Sequence, residues 1–380
     1  AHVDYTFSTT KRRMKTIVVS AVNIRKGGTL TILRGCLEYL SALALDRKFR
    51  VVALVHKREL CNYKGIEYIE MPTIIKGWSR RLWCEYVTMY RISKKLAPVD
   101  LWLSLHDTTP RVEAKHRAVY CQTSFPFLKL KLNDWRFDFK IGLFRLFTQI
   151  AYRINIRKND YLIVQAEWLR KRFTRMFRLP HERFIIAPPS RNNEYRPTTS
   201  SKNNIYTFIY VATPDCHKNF ELICQAAKLL EDEIGENQFK VILTINGTEN
   251  KYAQWIHRQW GKVGSLVFHG LMDKETLFHH YATSDCLIFP SRIETWGLPI
   301  TEFMPYNKPM LLADLPYAHE TAAGANQVAF FNPESQDELK MRMFQLIYND
   351  TTSLQNVSKQ DIQEPKAMNW SELFAQLIAD

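Results

Sequence analysis

Pro290-Ser291-Arg292-Ile293-Glu294-Thr295-Trp296-Gly297-Leu298-Pro299-Ile300-Thr301-Glu302 follows directly on an apolar run of strand length, Cys286 to Phe289. The run predicts a buried strand that ends at Pro290. Glu294 then falls in a loop, Gly297 lets the backbone pass close to a ligand, and Pro299 suits the first turn of a helix. Glu302 lies on that helix, eight residues after Glu294. Loop amides and a helix N-terminus together form a natural diphosphate site. Carboxylates on either side of such a site bind hydroxyls, because they accept hydrogen bonds and repel phosphate. The competing reading is an ordinary helix start with an acidic first turn and an exposed loop carboxylate.

Outward from this stretch the chain alternates strand and helix. In the second half the pattern predicts strands at 207–211, 239–245, 265–269, 286–290, 309–313 and 328–331, with helices at 220–234, 253–260, 274–283, from about 298, and at 338–348. In the first half it predicts strands at 16–22, 51–56, 101–105, 118–121, 161–164 and 184–187. Helices there follow Gly28 and cover 80–96 and 167–177. This alternation implies right-handed βαβ units and a parallel sheet in each half. Pro188-Pro189-Ser190 breaks it, and the polar stretch to Asn204 reads as a linker. A length of 380 residues suits two α/β domains. The expected organisation is a tail at 1–13, a first domain at 14–190, a second at 191–364, and a final helix near 365–380 that crosses back onto the first domain.

Composition narrows the classes. With 46% hydrophobic and 13% aromatic residues the chain is not disordered. No apolar run approaches the roughly 18 residues of a membrane-spanning helix, and the first residues lack the apolar core of a secretory signal. The seven cysteines form neither a C-x-x-C pair nor a zinc-type cluster. They read as free thiols of a reducing compartment, which predicts a cytoplasmic protein. Residues 1–199 carry 38 Lys and Arg against 16 Asp and Glu, whereas residues 200–364 carry 13 against 20. Such asymmetry predicts two domains with different partners. Trp135, Phe137, Phe139, Phe144, Phe147 and Tyr152 are interleaved with Lys129, Lys131, Arg136, Lys140, Arg145, Arg153, Arg157 and Lys158. That mixture suits a peripheral face on an anionic membrane; core aromatics under a solvated basic surface are the alternative.

Four further groups stand at expected strand ends. Lys218 follows the strand at 207–211 and opens a helix, where its ammonium can meet phosphates; a solvated helix-start lysine is the rival reading. Gly27-Gly28 joins the first strand to the first helix and lets amides approach a phosphate, or makes an ordinary tight turn. His106-Asp107 ends the strand at 101–105, and Gln122 ends the one at 118–121. His269-Gly270 ends a strand in the second half, with His269 more structural than catalytic in character.

The stretch quoted first resembles the E-x7-E signature of the family-4 retaining glycosyltransferases of the GT-B fold (glycosyl transferases group 1), whose usual form is P-S-x-x-E-G-F-G-L-P-x-x-E. Thr295 replaces the first glycine and Trp296 the phenylalanine. The resemblance implies two doubly wound, Rossmann-like domains facing across a cleft. It implies that Glu294 meets the transferred sugar and Glu302 the ribose of a nucleotide diphosphate-sugar, on a loop and helix start contributed by Ser291, Thr295, Trp296, Gly297 and Leu298. Lys218 matches a family lysine on the donor diphosphate, but Thr213 stands where a second cation, an arginine, is usual. Gly27 and Gly28 would face the diphosphate, and His269-Gly270 the base. Gln122 occupies the place of a histidine that contacts the transferred sugar. An amide can hydrogen-bond there but cannot carry charge, and His106 could take part of that role. The catalytic candidates are thus Glu294, Lys218, Gln122 and His106. The resemblance further implies retention at the anomeric carbon, no cofactor and no metal. The absence of a D-x-D motif agrees with the last point. The acceptor would be a glycan or lipid-linked. The rivals are a nucleotide-sugar epimerase of the same fold and a non-catalytic, basic surface-binding protein. No nucleic-acid-binding motif is present, so no nucleic-acid partner is expected.

Overall fold

In the computed structural model, residues 13–74, 77–190 and 204–379 are described; the tail at 1–12 and most of the predicted linker lie outside them. Strands β1 (Lys15–Ala21), β2 (Phe49–Val55), β3 (Ile66–Glu70), β4 (Leu101–Ser104), β5 (His116–Tyr120), β6 (Tyr161–Val164) and β7 (Phe184–Ile186) form one parallel sheet in the order β3-β2-β1-β4-β5-β6-β7. Strands β8 (Tyr206–Tyr210), β9 (Phe239–Leu243), β10 (Leu266–Phe268), β11 (Cys286–Phe289), β12 (Met310–Ala313) and β13 (Val328–Phe331) form a second, ordered β10-β9-β8-β11-β12-β13. The central strands are short Val/Ile/Leu/Phe runs buried on both faces, which suits parallel strands covered by helices on each side. All seven cysteines lie buried as free thiols.

In each sheet the chain order reverses once, between β1 and β4 in the first and between β8 and β11 in the second. Loops leaving two such strands diverge, and the crevice between them is where open α/β sheets bind ligands. The loops after β8 and β11 carry Lys218 and Glu294; those after β1 and β4 carry Gly27-Gly28 and His106-Asp107.

The C-terminal edges of the two sheets face one another. The segment after β5 brings Phe125 edge-on to His217, with ring centroids 5.1 Å apart. It also sets the Phe137 ring 5.1 Å from Trp255. The final helix, Trp370–Leu377, buries Leu373, Phe374 and Leu377 in the core of the first sheet. The chain reaches it through a short parallel bridge between Ile186 and Lys366. The fully buried Arg170 anchors that crossing by donating to the Gln363 carbonyl at 3.0 Å and the Pro365 carbonyl at 3.2 Å.

Candidate active site

Two loops of the second domain are stitched together at the switch point. The Asn219 backbone is left-handed (φ 60°), and its side-chain amide nitrogen donates to the carbonyls of Pro290 (3.1 Å) and Pro333 (3.0 Å). The Arg292 backbone N–H donates to the His217 carbonyl at 2.8 Å. The buried Tyr210 hydroxyl holds the Lys218 carbonyl at 2.6 Å. With both backbones fixed, the Lys218 ammonium meets the Glu294 carboxylate at 2.6 Å, each side chain about one-seventh exposed (15% and 13%). Ser291 is fully buried; its hydroxyl donates to the Ile293 carbonyl at 3.1 Å and so shapes the loop from within.

Gly297 is left-handed (φ 88°) and starts the helix Leu298–Phe303. The helix carries Glu302, whose carboxylate accepts from the Tyr281 hydroxyl at 2.9 Å. Burial raises the Glu302 pKa above its ordinary value, and the tyrosine hydrogen bond acts the other way. Leu298 is exposed beside Gly297. Thr295 lends its carbonyl to the Trp168 indole at 3.4 Å, and Trp296 is buried in a cluster otherwise made of first-domain residues such as Leu169 and Phe173. Thr213 is exposed, and its hydroxyl donates to Asp215 at 2.5 Å. His269 packs its ring 5.1 Å from His280, and Gly270 is left-handed (φ 88°) beside Asn246.

Across the seam, Gly27 and Gly28 open the helix Gly27–Leu45, which has no acidic residue in its first turn and no side-chain cap. A Cβ added at either glycine would meet nothing within 4 Å, so these amides front open space. Gln122 is buried. Its amide nitrogen donates to the Leu105 carbonyl at 2.7 Å, while its side-chain oxygen has no partner. Asp107, held left-handed (φ 68°), accepts from the backbone N–H of Gln122 (2.5 Å) and Thr123 (3.1 Å). Burial pushes its pKa up to about 6. His106 lies fully inside, against Ser20 (3.0 Å), Thr108 (2.9 Å) and Glu85 (3.4 Å). Burial lowers its pKa to about 4, so the ring is neutral near pH 7. His106 therefore braces the strand ends, and Gln122 keeps one buried side-chain oxygen without a partner.

Several residues at the site were not visible in the sequence, because their partners lie far along the chain. Arg292 forms a two-point ion pair with the buried Asp134 (2.5 and 3.1 Å) and donates to the Lys129 carbonyl at 3.1 Å. Glu320 accepts from the first N–H groups of the helix Glu167–Phe177, at 2.5 Å from Glu167 and 3.0 Å from Trp168. Tyr281 and Glu85 join the list for the same reason.

Residues 191–363, a little under half the chain, match the family model described as glycosyl transferases group 1. O-antigen chain mannosyltransferase B of Escherichia coli is 21% identical over 227 residues, which span 57% of this chain and 59% of that protein. O-antigen chain mannosyltransferase RfbU of Salmonella typhimurium is 19% identical over 338 residues, covering 84% of this chain and 88% of its own. The solved structure of Anabaena HepE in complex with UDP and glucose superposes with a TM-score of 0.60 at 15% identity, over 96% of this chain and 95% of that one. Likeness at this level of identity speaks for the fold, which is GT-B.

Proposed function

We propose that this chain, a GT-B protein whose second domain belongs to the glycosyl transferases group 1, moves a sugar from a nucleotide diphosphate-sugar to a glycan or lipid-linked acceptor. The setting suggested by its mannosyltransferase relatives is the synthesis of a cell-surface polysaccharide or glycoconjugate. The observation that carries this reading is the Lys218–Glu294 pair at the switch point of the second sheet, with Glu302 one short helix away.

On donor binding, the diphosphate takes the Lys218 ammonium and frees Glu294 for sugar hydroxyls, while Glu302 accepts from the ribose. The amides at Gly27-Gly28 face the same phosphates from the first domain, and the unpaired oxygen of Gln122 accepts from a sugar hydroxyl. The acceptor hydroxyl oxygen bonds to the anomeric carbon on the face the leaving group departs. The bond from that carbon to the phosphate oxygen breaks, and the hydroxyl proton passes to the departing diphosphate. Configuration is retained. Lys218 and the loop amides stabilise the leaving charge, the kind of electrostatic contribution that usually dominates. Neither a cofactor nor a metal is required in this scheme.

A membrane-facing first domain fits a lipid-linked acceptor. The helix Phe139–Ala151 exposes Phe139, Leu143, Leu146, Phe147 and Ile150 along one stripe, with Arg136, Lys140 and Arg153 exposed around it. Only part of the aromatic-rich segment takes this role: Tyr152 is buried, Phe137 packs across the seam, and Trp135 lies on Gly142. Among the described residues no helix is long and apolar enough to cross a membrane. We place the protein on the cytoplasmic face of one, peripherally bound.

The test is a thermal-shift screen with UDP, GDP, ADP and their sugars, since a ligand that binds only the folded state raises Tm by mass action. One nucleotide should shift the wild type and fail to shift Lys218→Ala. No shift with any of them would overturn the reading.

A further inference from the structure

The chain turns sharply where β4 ends. Asp107 is left-handed (φ 68°), and the Thr108 N–H donates back across it to the His106 carbonyl at 2.8 Å. A three-residue turn with a positive central φ is rare and strained. This one is pinned from both sides: the Ser104 hydroxyl donates to the Thr108 carbonyl at 2.7 Å, and the His106 ring lies 2.9 Å from the Thr108 hydroxyl. Strain of this kind persists where the surroundings over-determine it, and it gathers at functional sites.

The turn places one carboxylate. Asp107 Oδ1 accepts from the backbone N–H groups of Gln122 and Thr123, just beyond β5. A second contact fixes the Gln122 side chain, whose nitrogen donates to the Leu105 carbonyl at 2.7 Å. A carbonyl only accepts, so the nitrogen faces Leu105 and the side-chain oxygen faces away. That oxygen is buried and has no partner among the described residues. A buried acceptor is unfavourable until a donor reaches it. The end of β4 thus holds both the main chain and the side chain of Gln122.

The carboxylate is enclosed by named groups. Arg81 and Glu85 approach from the helical side, joined at 3.0 Å, and Arg81 also donates to the His106 carbonyl at 3.1 Å. His106 lies 3.4 Å from Glu85, and Cys121 and Tyr152 close the remaining side. Burial favours the protonated form of Asp107, while the two N–H groups and Arg81 favour the ionised one. Its hydrogen bonds go to the Gln122 segment, so holding that segment is its effect. We propose that Asp107 is a positioning residue for sugar transfer: it sets Gln122 so that the side-chain oxygen accepts from the donor's sugar, and so selects sugars that offer a hydrogen-bond donor at that point. This rests on the transferase reading above and adds the group that makes Gln122 selective.

The test is titration calorimetry with UDP, GDP and ADP beside UDP-glucose, GDP-mannose and ADP-glucose. Asp107→Gly suits the left-handed backbone and removes the carboxylate. It should weaken the nucleotide-sugar that wild type binds by about tenfold, the scale of one hydrogen bond in a closed site, and leave the plain nucleotide unchanged. Asp107→Asn keeps an accepting oxygen and should restore the affinity. In a Gln122→Ala background Asp107→Gly should cost nothing further, because residues that act through one another are not additive. Should Asp107→Gly melt before titration, Asp107→Ser, too short to reach both N–H groups, takes its place. Equal losses for nucleotide and nucleotide-sugar would mark a residue that only supports the fold and overturn the proposal. So would a full loss added on top of Gln122→Ala, or wild-type affinity in Asp107→Gly. The plain nucleotides keep the two readings apart. Nucleotide binding without a sugar effect at Asp107 sinks the positioning role alone, whereas a wild type that binds none of these ligands sinks the transferase reading itself.

Discussion

The Lys218 ammonium rests on the Glu294 carboxylate at 2.6 Å. A phosphate that displaces the carboxylate exchanges one charged partner for another, and Thr213 supplies no second cation five residues earlier. Lys218→Ala should therefore lower kcat/KM by about tenfold or more, the worth of one charged hydrogen bond to phosphate; kcat/KM equal to wild type would show that Arg25 or Lys26 neutralises the leaving group instead. Glu302 makes a pH prediction. Burial raises its pKa, so it holds its proton to a higher pH than an ordinary glutamate. Donor affinity that depends on its ionised form is complete above the raised pKa and falls as pH drops through it. The Tyr281 hydroxyl opposes the rise, so Tyr281→Phe should move the acid limb of donor affinity to higher pH, and Glu302→Ala should weaken the nucleotide at every pH. Titration calorimetry against pH checks both, and an unmoved limb in Tyr281→Phe would refute the coupling. Lys218, Glu294 and Glu302 were legible because each lies within a few residues of a strand end and a helix start. Tyr281 was not, since only the packing of Lys274–Thr283 against its neighbours brings its hydroxyl to Glu302.

At the scale of elements, apolar periodicity carried most of the reading. The helices Glu167–Phe177, Phe220–Ile234 and Lys274–Thr283 have the bounds their patterns predict. The edge strand Ile66–Glu70 escaped, because Ile-Glu-Tyr-Ile-Glu is short and half polar, as suits a sheet edge. The helix Pro316–Thr321 is too short for its period to register. Residues 129–158 read correctly as aromatic and basic, but composition cannot tell which rings turn inward. In the fold, Asp138 caps Phe139–Ala151 and Gly142 admits the Trp135 ring, so one stripe is left facing out. That stripe touches little protein, and Leu143→Ser with Phe147→Ser should change Tm by no more than an ordinary surface substitution. The same double variant should lose most of its binding to anionic vesicles, because two of five apolar side chains leave the interface. Vesicle flotation beside a melting curve measures both; unchanged binding would remove this helix from the membrane face.

At the scale of the molecule, a basic first domain meets a more acidic second one, and the sequence shows the imbalance but not the seam. The transfer scheme uses the lysine and amides on the diphosphate, so turnover should survive excess EDTA; loss that Mg2+ or Mn2+ restores would refute this. Among the described residues the Arg292–Asp134 pair is the most enclosed ion pair across the seam, with side chains 8% and 0% exposed. Arg292 lies two residues before Glu294, and Asp134 also accepts from the Lys131 N–H at 2.7 Å to start the helix Leu132–Phe137. The pair therefore ties the loop that carries Glu294 to the first domain. Removing one member leaves a buried charge without its partner, which typically costs about 3–5 kcal/mol, whereas replacing both by apolar residues of similar volume is often near neutral. Arg292→Met and Asp134→Leu should each lower stability strongly, and the double variant should recover more than half of the loss. The two positions are in contact, so their effects should be far from additive. Kinetics then distinguish a stabilising bolt from a positioning device. If the pair positions Glu294, the double variant regains its Tm but keeps a low kcat, with donor KM near wild type. Recovery of kcat together with Tm would show that the pair only holds the domains together.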